Sequence, residues 1–343
     1  MSVNQKWSFW IDRGGTFTDV IARTPEGKLL TRKILSESSH RRDSAVHGIK
    51  EILAANNSSL AELGQLRMGT TIGTNALLTR QGAKTAFVTS KGFADCVRIA
   101  YQNRPDIFAL EISLPEMLYQ QVIEFDERID FSGKILKEPD LEKLKSDLQA
   151  AFDAGTRSCA IALMHGYKYP THEILAAKVA KEIGFEQISV SHESAPLMKL
   201  ISRADTTLAD AYLTPLLHSY IEGLRRDLGN LQLHFMQSNG GLAAASLFKG
   251  KDSILSGPAG GLVGAIKAAE SAGFDKLVSF DMGGTSTDVS HFHGEIEHIY
   301  DTEISGMRIR APMMDIHTVA AGGGSVLGFD GTRLRVGPDS AGA

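Results

Sequence analysis

The sequence predicts an α/β fold with mixed sheets, and two observations carry the prediction. Short apolar runs alternate with amphipathic helical segments along most of the chain. A nine-residue pattern rich in glycine and aspartate also occurs twice, each time directly after an apolar run. With 343 residues, 43% of them hydrophobic and 22% charged, the chain is long enough for two domains with a core each.

Near the amino terminus, apolar segments at Trp7–Ile11, Phe17–Ala22 and Leu29–Leu35 are separated by a Gly-Gly turn and by Pro25-Glu26-Gly27. Short strands joined by tight turns make a three-stranded meander. Residues 41–55 place Ala45, Ile49, Ile52 and Leu53 at helical spacing. A strand near Leu66–Met68, a helix over about 72–81 and a strand at 84–89 follow. The middle continues with a helix at 140–154, a buried strand at Ser158–Met164, a helix at 171–183 and a strand at 187–191. A long helix is predicted over 204–226, beginning near Asp205 and kinked at Pro215, where the ring removes one helical hydrogen bond. Strand 231–236 then leads into the turn Ser238–Gly241, Pro258 opens a helix to about residue 271, and Leu277–Phe280 is a strand. The change of character over 185–204 divides the chain into a domain at 1–195 and another at 196–343.

The repeat is the strongest functional signal. Asp12-Arg13-Gly14-Gly15-Thr16-Phe17-Thr18-Asp19-Val20 matches Asp281-Met282-Gly283-Gly284-Thr285-Ser286-Thr287-Asp288-Val289 at seven of nine positions. An aspartate closing a buried strand offers a fixed carboxylate to a hard cation such as Mg2+. Paired glycines let a turn present bare backbone N–H groups to phosphate oxygens, and the threonines add hydroxyl donors. One copy alone is equally a plain tight turn; two copies facing each other would clamp a polyphosphate and its cation. The expected set is therefore Asp12 and Asp281 for the cation and for catalysis. Gly14, Gly15, Thr16, Thr18, Gly283, Gly284, Thr285 and Thr287 are expected for phosphate, with Asp19 and Asp288 in support. No Gly-Lys-Ser/Thr follows either glycine pair, so this is not a Walker loop.

Other groups keep two readings each. Asp315 and His317, two apart in an expected strand, share a face and could bind a second divalent metal with His291, or form a hydrogen-bonded pair. The Gly322–Ser325 turn either approaches the nucleotide or simply links strand to helix. Gly69-Thr70-Thr71 with Gly73-Thr74-Asn75 either receives an oxyanion or caps a helix, and Ser256–Gly261 either approaches the cleft or packs a helix closely. Net charge is -4 without basic clusters, which excludes nucleic acid and acidic membrane as expected partners. Two distant cysteines, Cys96 and Cys159, read as free thiols in a reducing compartment. The start carries no secretory signal pattern and no run reaches membrane-spanning length, so a soluble, cytoplasmic protein is expected.

The paired motifs resemble the two phosphate segments of the superfamily of actin, heat-shock chaperones, and sugar and acetate kinases. The wording is closer still to the hydantoinase/5-oxoprolinase family, through IDRGGTFTDV, MGTTIGTNALLTRQG, SHESAPLMKLISRADTTLADAYLTP, FMQSNGGL, LSGPAGGLVGA, FDMGGTSTDVS and IHTVAAGGGSV. MHGYKYPTHE and MRIRAPMMDIHTVAAGGGS resemble its 5-oxoprolinase branch. The resemblance implies an actin-like (ribonuclease H-like) pair of duplicated domains with mixed sheets. It implies ATP- and Mg2+-dependent hydrolysis of 5-oxo-L-proline to L-glutamate through phosphorylation of the lactam oxygen, within glutathione metabolism. Its alternatives are a hydantoin-opening or acetone-carboxylase-type subunit, an inactive nucleotide-binding fragment, or a non-catalytic nucleotide-dependent binding protein. Chains of this family continue past RVGPDSAGA. The second half is therefore expected to be incomplete, with a carboxyl-terminal region or a hydantoinase B-like partner completing the reaction, in a homo-oligomer when whole.

Overall fold

The amino-terminal meander forms as its turns dictate. The structure is a computed structural model that describes residues 6–36, 43–102, 108–112, 114, 116–229, 231–284, 286–304, 306–319 and 321–341. β1 (Trp7–Arg13), β2 (Phe17–Arg23) and β3 (Leu29–Leu35) pair antiparallel in sequence order. Alternation along β2 buries Thr18, Val20 and Ala22 and leaves Phe17 and Ile21 outside. α1 (Ser44–Ala55) starts at Asp43, whose carboxylate accepts from the Val46 N–H at 3.0 Å. It lays Ala45, Ile49, Ile52 and Leu53 on the sheet, and positions 41 and 42 of the expected helix lie outside the described residues. β4 (Leu63–Thr70) then pairs parallel to β1 and runs into α2 (Ile72–Leu78).

The chain next leaves this sheet and builds another, through β5 (Thr85–Ser90), α3 (Cys96–Ile99), β6 (Gln121–Phe125) and the small hairpin of β7 (Arg128–Ile129) and β8 (Ile135–Lys137). α4 (Leu141–Asp153), β9 (Ser158–Ala162), α5 (Thr171–Ile183), β10 (Gln187–Val190) and α6 (Ser191–Ser194) complete it. Its four parallel strands stand in the order β10-β9-β5-β6. Every residue of β5 and β9 is buried, because helices cover both faces of a parallel sheet.

α7 (Leu200–Leu228) starts five residues before the expected Asp205 and continues through Pro215. Proline removes the amide that would reach the Ala211 carbonyl. Ser158 Oγ donates to that carbonyl at 2.6 Å, and the Ala83 N–H donates to the Tyr212 carbonyl at 3.0 Å. The proline defect is thereby an attachment point between α7, β9 and the approach to β5. β11 (Gln232–Met236) returns to the first sheet beside β4, with β12 (Leu242–Ala244) at its edge, for an order β12-β11-β4-β1-β2-β3. This sheet takes strands from both sides of residue 195, so the division read from the sequence follows the chain and not the sheets.

α8 (Ser256–Ser271) leads to the second hairpin, β13 (Lys276–Met282) and β14 (Thr287–His293). β15 (His298–Ile304) pairs with β16 (Met307–Met314), and β14 instead takes β17 (His317–Val319) on its free edge. The second motif thus sits in a hairpin joined by a returning strand. β18 (Ser325–Phe329) and β19 (Leu334–Ser340) pair with each other. Val278 and Phe280 on β13, and Leu327 and Leu334 on the last pair, are 66–82% exposed.

α7 and β16 meet at an ion pair between the buried Asp205 and the half-buried Arg308. Arg308 Nε donates to Asp205 Oδ2 at 2.7 Å, while Asp205 Oδ1 has no partner among the described residues. Burial raises the Asp205 pKa to about 6, with Arg308 opposing. The folded state therefore holds this proton more tightly than the unfolded chain. Its contribution to stability is fullest at low pH and is lost as pH rises from about 4 to about 6. Stability of the wild type relative to Asp205→Asn should fall by about 1–3 kcal/mol across that window and then level off, as read by denaturant unfolding. A difference that stays flat with pH would rule this out.

Candidate functional site

The two copies of the repeat fold in the same register. Asp12 lies opposite Asp19 and Ile11 opposite Val20; Asp281 lies opposite Asp288 and Phe280 opposite Val289. Each turn closes with the same bond, from the Gly14 N–H to the Phe17 carbonyl at 3.0 Å and from the Gly283 N–H to the Ser286 carbonyl at 2.9 Å.

The turn carbonyls are capped from within the protein. Ser36, just past β3, donates its hydroxyl to the Gly14 carbonyl at 2.7 Å and its N–H to the Thr16 carbonyl at 2.8 Å. At the second turn, the Gly323 and Gly324 amides donate to the Gly283 and Gly284 carbonyls at 2.9 and 2.7 Å. The Gly322–Ser325 turn thus stands against the second motif as backbone support. The amides of Gly15 and Thr16 have no acceptor among the described residues, which leaves them for an anion. A Cβ on Gly14 would meet the Phe17 carbonyl at 2.9 Å, but one on Gly15 would meet only Asn75 Nδ2 at 3.7 Å. The packing of the turn therefore does not demand glycine at 15, and the expectation that it keeps the amides accessible to phosphate is what a substitution there would test. Gly15→Val should weaken ATP binding about tenfold or more, the worth of a lost charge-assisted hydrogen bond. Its melting temperature should stay within about 4 °C of the wild type. Unchanged affinity by calorimetry would overturn that role.

α8 connects the hairpins. Gly257 and Gly261 lie one helical turn apart, and a Cβ on each would stand 3.4 Å from Asp12 Oδ1 and 3.9 Å from Asp281 Oδ2, respectively. Gly69 on β4 faces Asp12 as well, at 3.2 Å by the same measure. Ser256 Oγ accepts from the Thr70 N–H at 3.2 Å, and Thr74 Oγ1 donates to the Ile254 carbonyl. Close packing and approach to the acids are therefore one feature. Thr71 Oγ1 donates to the Arg13 carbonyl at 3.2 Å and accepts from Asn75 Nδ2 at 3.3 Å, so this run braces the first hairpin.

Asp12 is open to solvent on one side and crowded by protein on the other. That crowding raises its pKa, with Asp19, Asp281 and Asp288 adding and Lys33 opposing. Burial raises Asp288 too, against a hydrogen bond from Thr318 and with repulsion from Asp281. Among the described residues, Lys33 on Asp19, at 2.8 Å, is the one ion-pair partner these four carboxylates have. Hard oxygens with excess negative charge fit a divalent cation. No group of three or more acidic, histidine or cysteine side chains among the described residues is arranged to hold a metal ion.

Several expected residues serve otherwise. Thr18 Oγ1 is buried against Ser36 Oγ at 3.0 Å and Ser44 Oγ at 2.7 Å, and Thr287 Oγ1 donates to the Ala321 carbonyl at 2.5 Å. Both hold the hairpins from behind. Thr285 lies outside the described residues. Asp315 falls between β16 and β17, its N–H bound to the Glu297 carbonyl at 3.0 Å, so it does not share a strand with His317. His291 pairs with Glu297 at 3.2 Å, and the second metal site lacks a third ligand among the described residues. Burial pushes the Cys96 and Cys159 thiols up to about 11 and about 12, away from thiolate chemistry. No helix among the described residues is long and apolar enough to cross a membrane.

Sequence reading missed two buried carboxylates at the carboxyl edge of the parallel sheet. Glu127 binds Ser90 Oγ and His172 Nδ1, the latter at 2.6 Å. Glu173 accepts from the Leu163 N–H at 2.9 Å, the His192 N–H at 3.0 Å, His192 Nδ1 at 2.6 Å and Ser191 Oγ. Adjacent His172-Glu173 at the start of a helix was the one available signal.

Residues 8–184 match the family described as the hydantoinase/oxoprolinase N-terminal region, and residues 203–343 the family described as hydantoinase/oxoprolinase. The chain is 42% identical to a 5-oxoprolinase of Dictyostelium discoideum, over 98% of this chain and 31% of that protein. It is 43% identical to 5-oxoprolinase 1 of Arabidopsis thaliana, over 99% of this chain and 30% of that protein. It spans less than a third of the length of these relatives. The crystal structure of ATP-dependent caprolactamase from Pseudomonas jessenii is similar with a TM-score of 0.83 at 27% identity, over 98% of this chain and 51% of that one.

Proposed function

Because the chain belongs to the hydantoinase/oxoprolinase family, we propose that it carries the phosphoryl-transfer site of an ATP-dependent hydrolysis of 5-oxo-L-proline to L-glutamate. The observation that carries this reading is the pair of register-matched hairpins whose aspartates border one helix, Gly257 beside Asp12 and Gly261 beside Asp281. The antiparallel meander extended by parallel strands, together with the repeated hairpin, supports an actin-like, duplicated ancestry.

A lactam carbonyl resists water because amide resonance stabilises it. Transfer of the γ-phosphoryl group to the lactam oxygen turns that oxygen into a leaving group. Water then adds at the carbon and the ring C–N bond opens, with a proton going to the freed amine, to leave an acyl phosphate. A second water adds at the same carbon and phosphate departs with the former lactam oxygen, so both oxygens of the new carboxylate come from water. Asp12 and Asp281 would hold Mg2+ through its waters. Bound there, the ion offsets negative charge on the phosphoryl group in flight. The Gly15 and Thr16 amides, with the Gly283–Gly284 turn opposite, would orient the phosphate oxygens. The exposed apolar side chains of β13, and those of the β18–β19 pair, suit docking of a further region or a hydantoinase B-like partner that completes ring opening.

A cyclic amide lacking a carboxylate is the second reading, favoured by the likeness to caprolactamase. In an active preparation, 5-oxoproline labelled with 18O in the lactam carbonyl should give labelled phosphate in step with glutamate. Glutamate formed with unlabelled phosphate would exclude phosphorylation at that oxygen, and faster turnover of caprolactam would favour the second reading.

A further inference from the structure

The carboxyl edge of the inserted sheet carries chemistry that the phosphate cleft does not use. In the order β10-β9-β5-β6, the chain steps from β5 to β6 on one side and to β9 and β10 on the other. β5 and β9 therefore meet at a switch point, the place where open α/β sheets take ligands beyond their strand ends. There the Met164 N–H donates to Ser90 Oγ at 2.9 Å, and the loop after β9 folds over the buried Glu173. Gly166 permits that closure, since a Cβ would stand 2.3 Å from Glu173 Oε1. His165 beside it is held at φ 61°, a left-handed conformation that is costly for a residue with a Cβ.

Arg203, in the first turn of α7, is 0% exposed. Nη2 donates to the Leu163 carbonyl, Nη1 reaches the Leu197 carbonyl at 3.5 Å, and the guanidinium stands 5.5 Å from the Tyr167 ring. Its Nε has no partner, and no carboxylate forms an ion pair with it, among the described residues. Burial lowers the Arg203 pKa, and Glu173 opposes this only from beyond ion-pair distance. A buried cation without a directly paired carboxylate or a full set of acceptors is destabilising, and a bound oxyanion would supply the missing acceptor. His192 is fixed by Glu173 through Nδ1, so its Nε2, without a partner among the described residues, is the ring atom left for a ligand. The hydrogen bond that the His192 ring donates to Glu173 raises the His192 pKa, with Glu193 adding and burial and nearby Arg203 opposing.

We propose that this edge binds a small carboxylate, held by Arg203 Nε and His192 Nε2, at a site separate from the phosphate cleft. Arg203 and Thr214 are eleven residues apart on α7, about 16 Å at the helical rise, and Thr214 is where the helix meets the loop leading to α8. The site stands on these residues alone, whatever the substrate of the cleft.

Titration of the histidine-labelled chain with sodium glutarate should move the His192 imidazole resonances saturably, and inorganic phosphate is the parallel arm. Arg203→Met should weaken glutarate binding about tenfold or more, the loss of a charge-assisted hydrogen bond. His192→Gln, read by calorimetry because the reporting imidazole is gone, should weaken it as well, and Asp12→Asn should leave it unchanged. No saturable shift in the folded wild type, tighter binding of phosphate than of glutarate, or loss of binding in Asp12→Asn would each overturn the proposal. Should Arg203→Met not fold, the wild-type titration and His192→Gln decide.

Discussion

Asp12→Asn and Asp281→Asn, each in an active preparation, are expected to lower lactam-dependent ATP hydrolysis by about 100- to 1,000-fold. The reason lies in the balance of charge. Neither carboxylate has an ion-pair partner among the described residues, and each borders the same face of α8. Converting one to an amide keeps its shape and removes half of what would hold the cation between the hairpins. The magnesium requirement should rise along with the loss of turnover, while circular dichroism and melting stay near those of the wild type. Asp19→Asn should be milder, because Lys33 already occupies that carboxylate at 2.8 Å. Near-normal turnover of either principal variant at limiting magnesium would remove both aspartates from the site.

The largest effect on stability is expected at Glu173→Ala, about 3–5 kcal/mol by urea unfolding. The deletion strips the acceptor from the Leu163 and His192 amides, the His192 ring and the Ser191 hydroxyl at once. These groups are clustered at the ends of β9 and β10, where water cannot replace the carboxylate without opening the loop. Glu173→Gln should lose less, since it retains one acceptor oxygen and the volume. A loss below about 1 kcal/mol for the alanine variant would show the network to be dispensable.

What could be read from the sequence was what local chemistry decides. β3 at Leu29–Leu35 and α5 at Thr171–Ile183 fall on their expected limits, because turn residues and helical spacing mark both ends. The repeat announced two like hairpins, and their registers agree. Strand parity could also have shown that Thr18 shares an inward face with Val20 and Ala22, which takes its hydroxyl away from any ligand. Other features rest on contacts far apart in the chain and were not legible. β14 takes β17 as its neighbour, not the strand that follows it. Glu127 finds His172 across 45 positions, and Glu173 finds His192 across 19, with nothing in either segment naming the other.

The return of β11 to β4 has a consequence for how the molecule is made. β4 ends at Thr70, and its partner begins at Gln232, about 160 residues later. At a synthesis rate of about 5–20 residues per second, the edge of β4 waits roughly 10–30 s for its neighbour. The parallel sheet between them has all four strands on the ribosome's exit side well before then, so it is free to assemble while the first sheet is still open. High contact order of this kind slows folding and leaves an unpaired strand at risk of meeting another nascent chain. Conditions that lengthen the pause, such as slow codons between residues 190 and 232, should therefore raise aggregation more than the same delay placed after Met236.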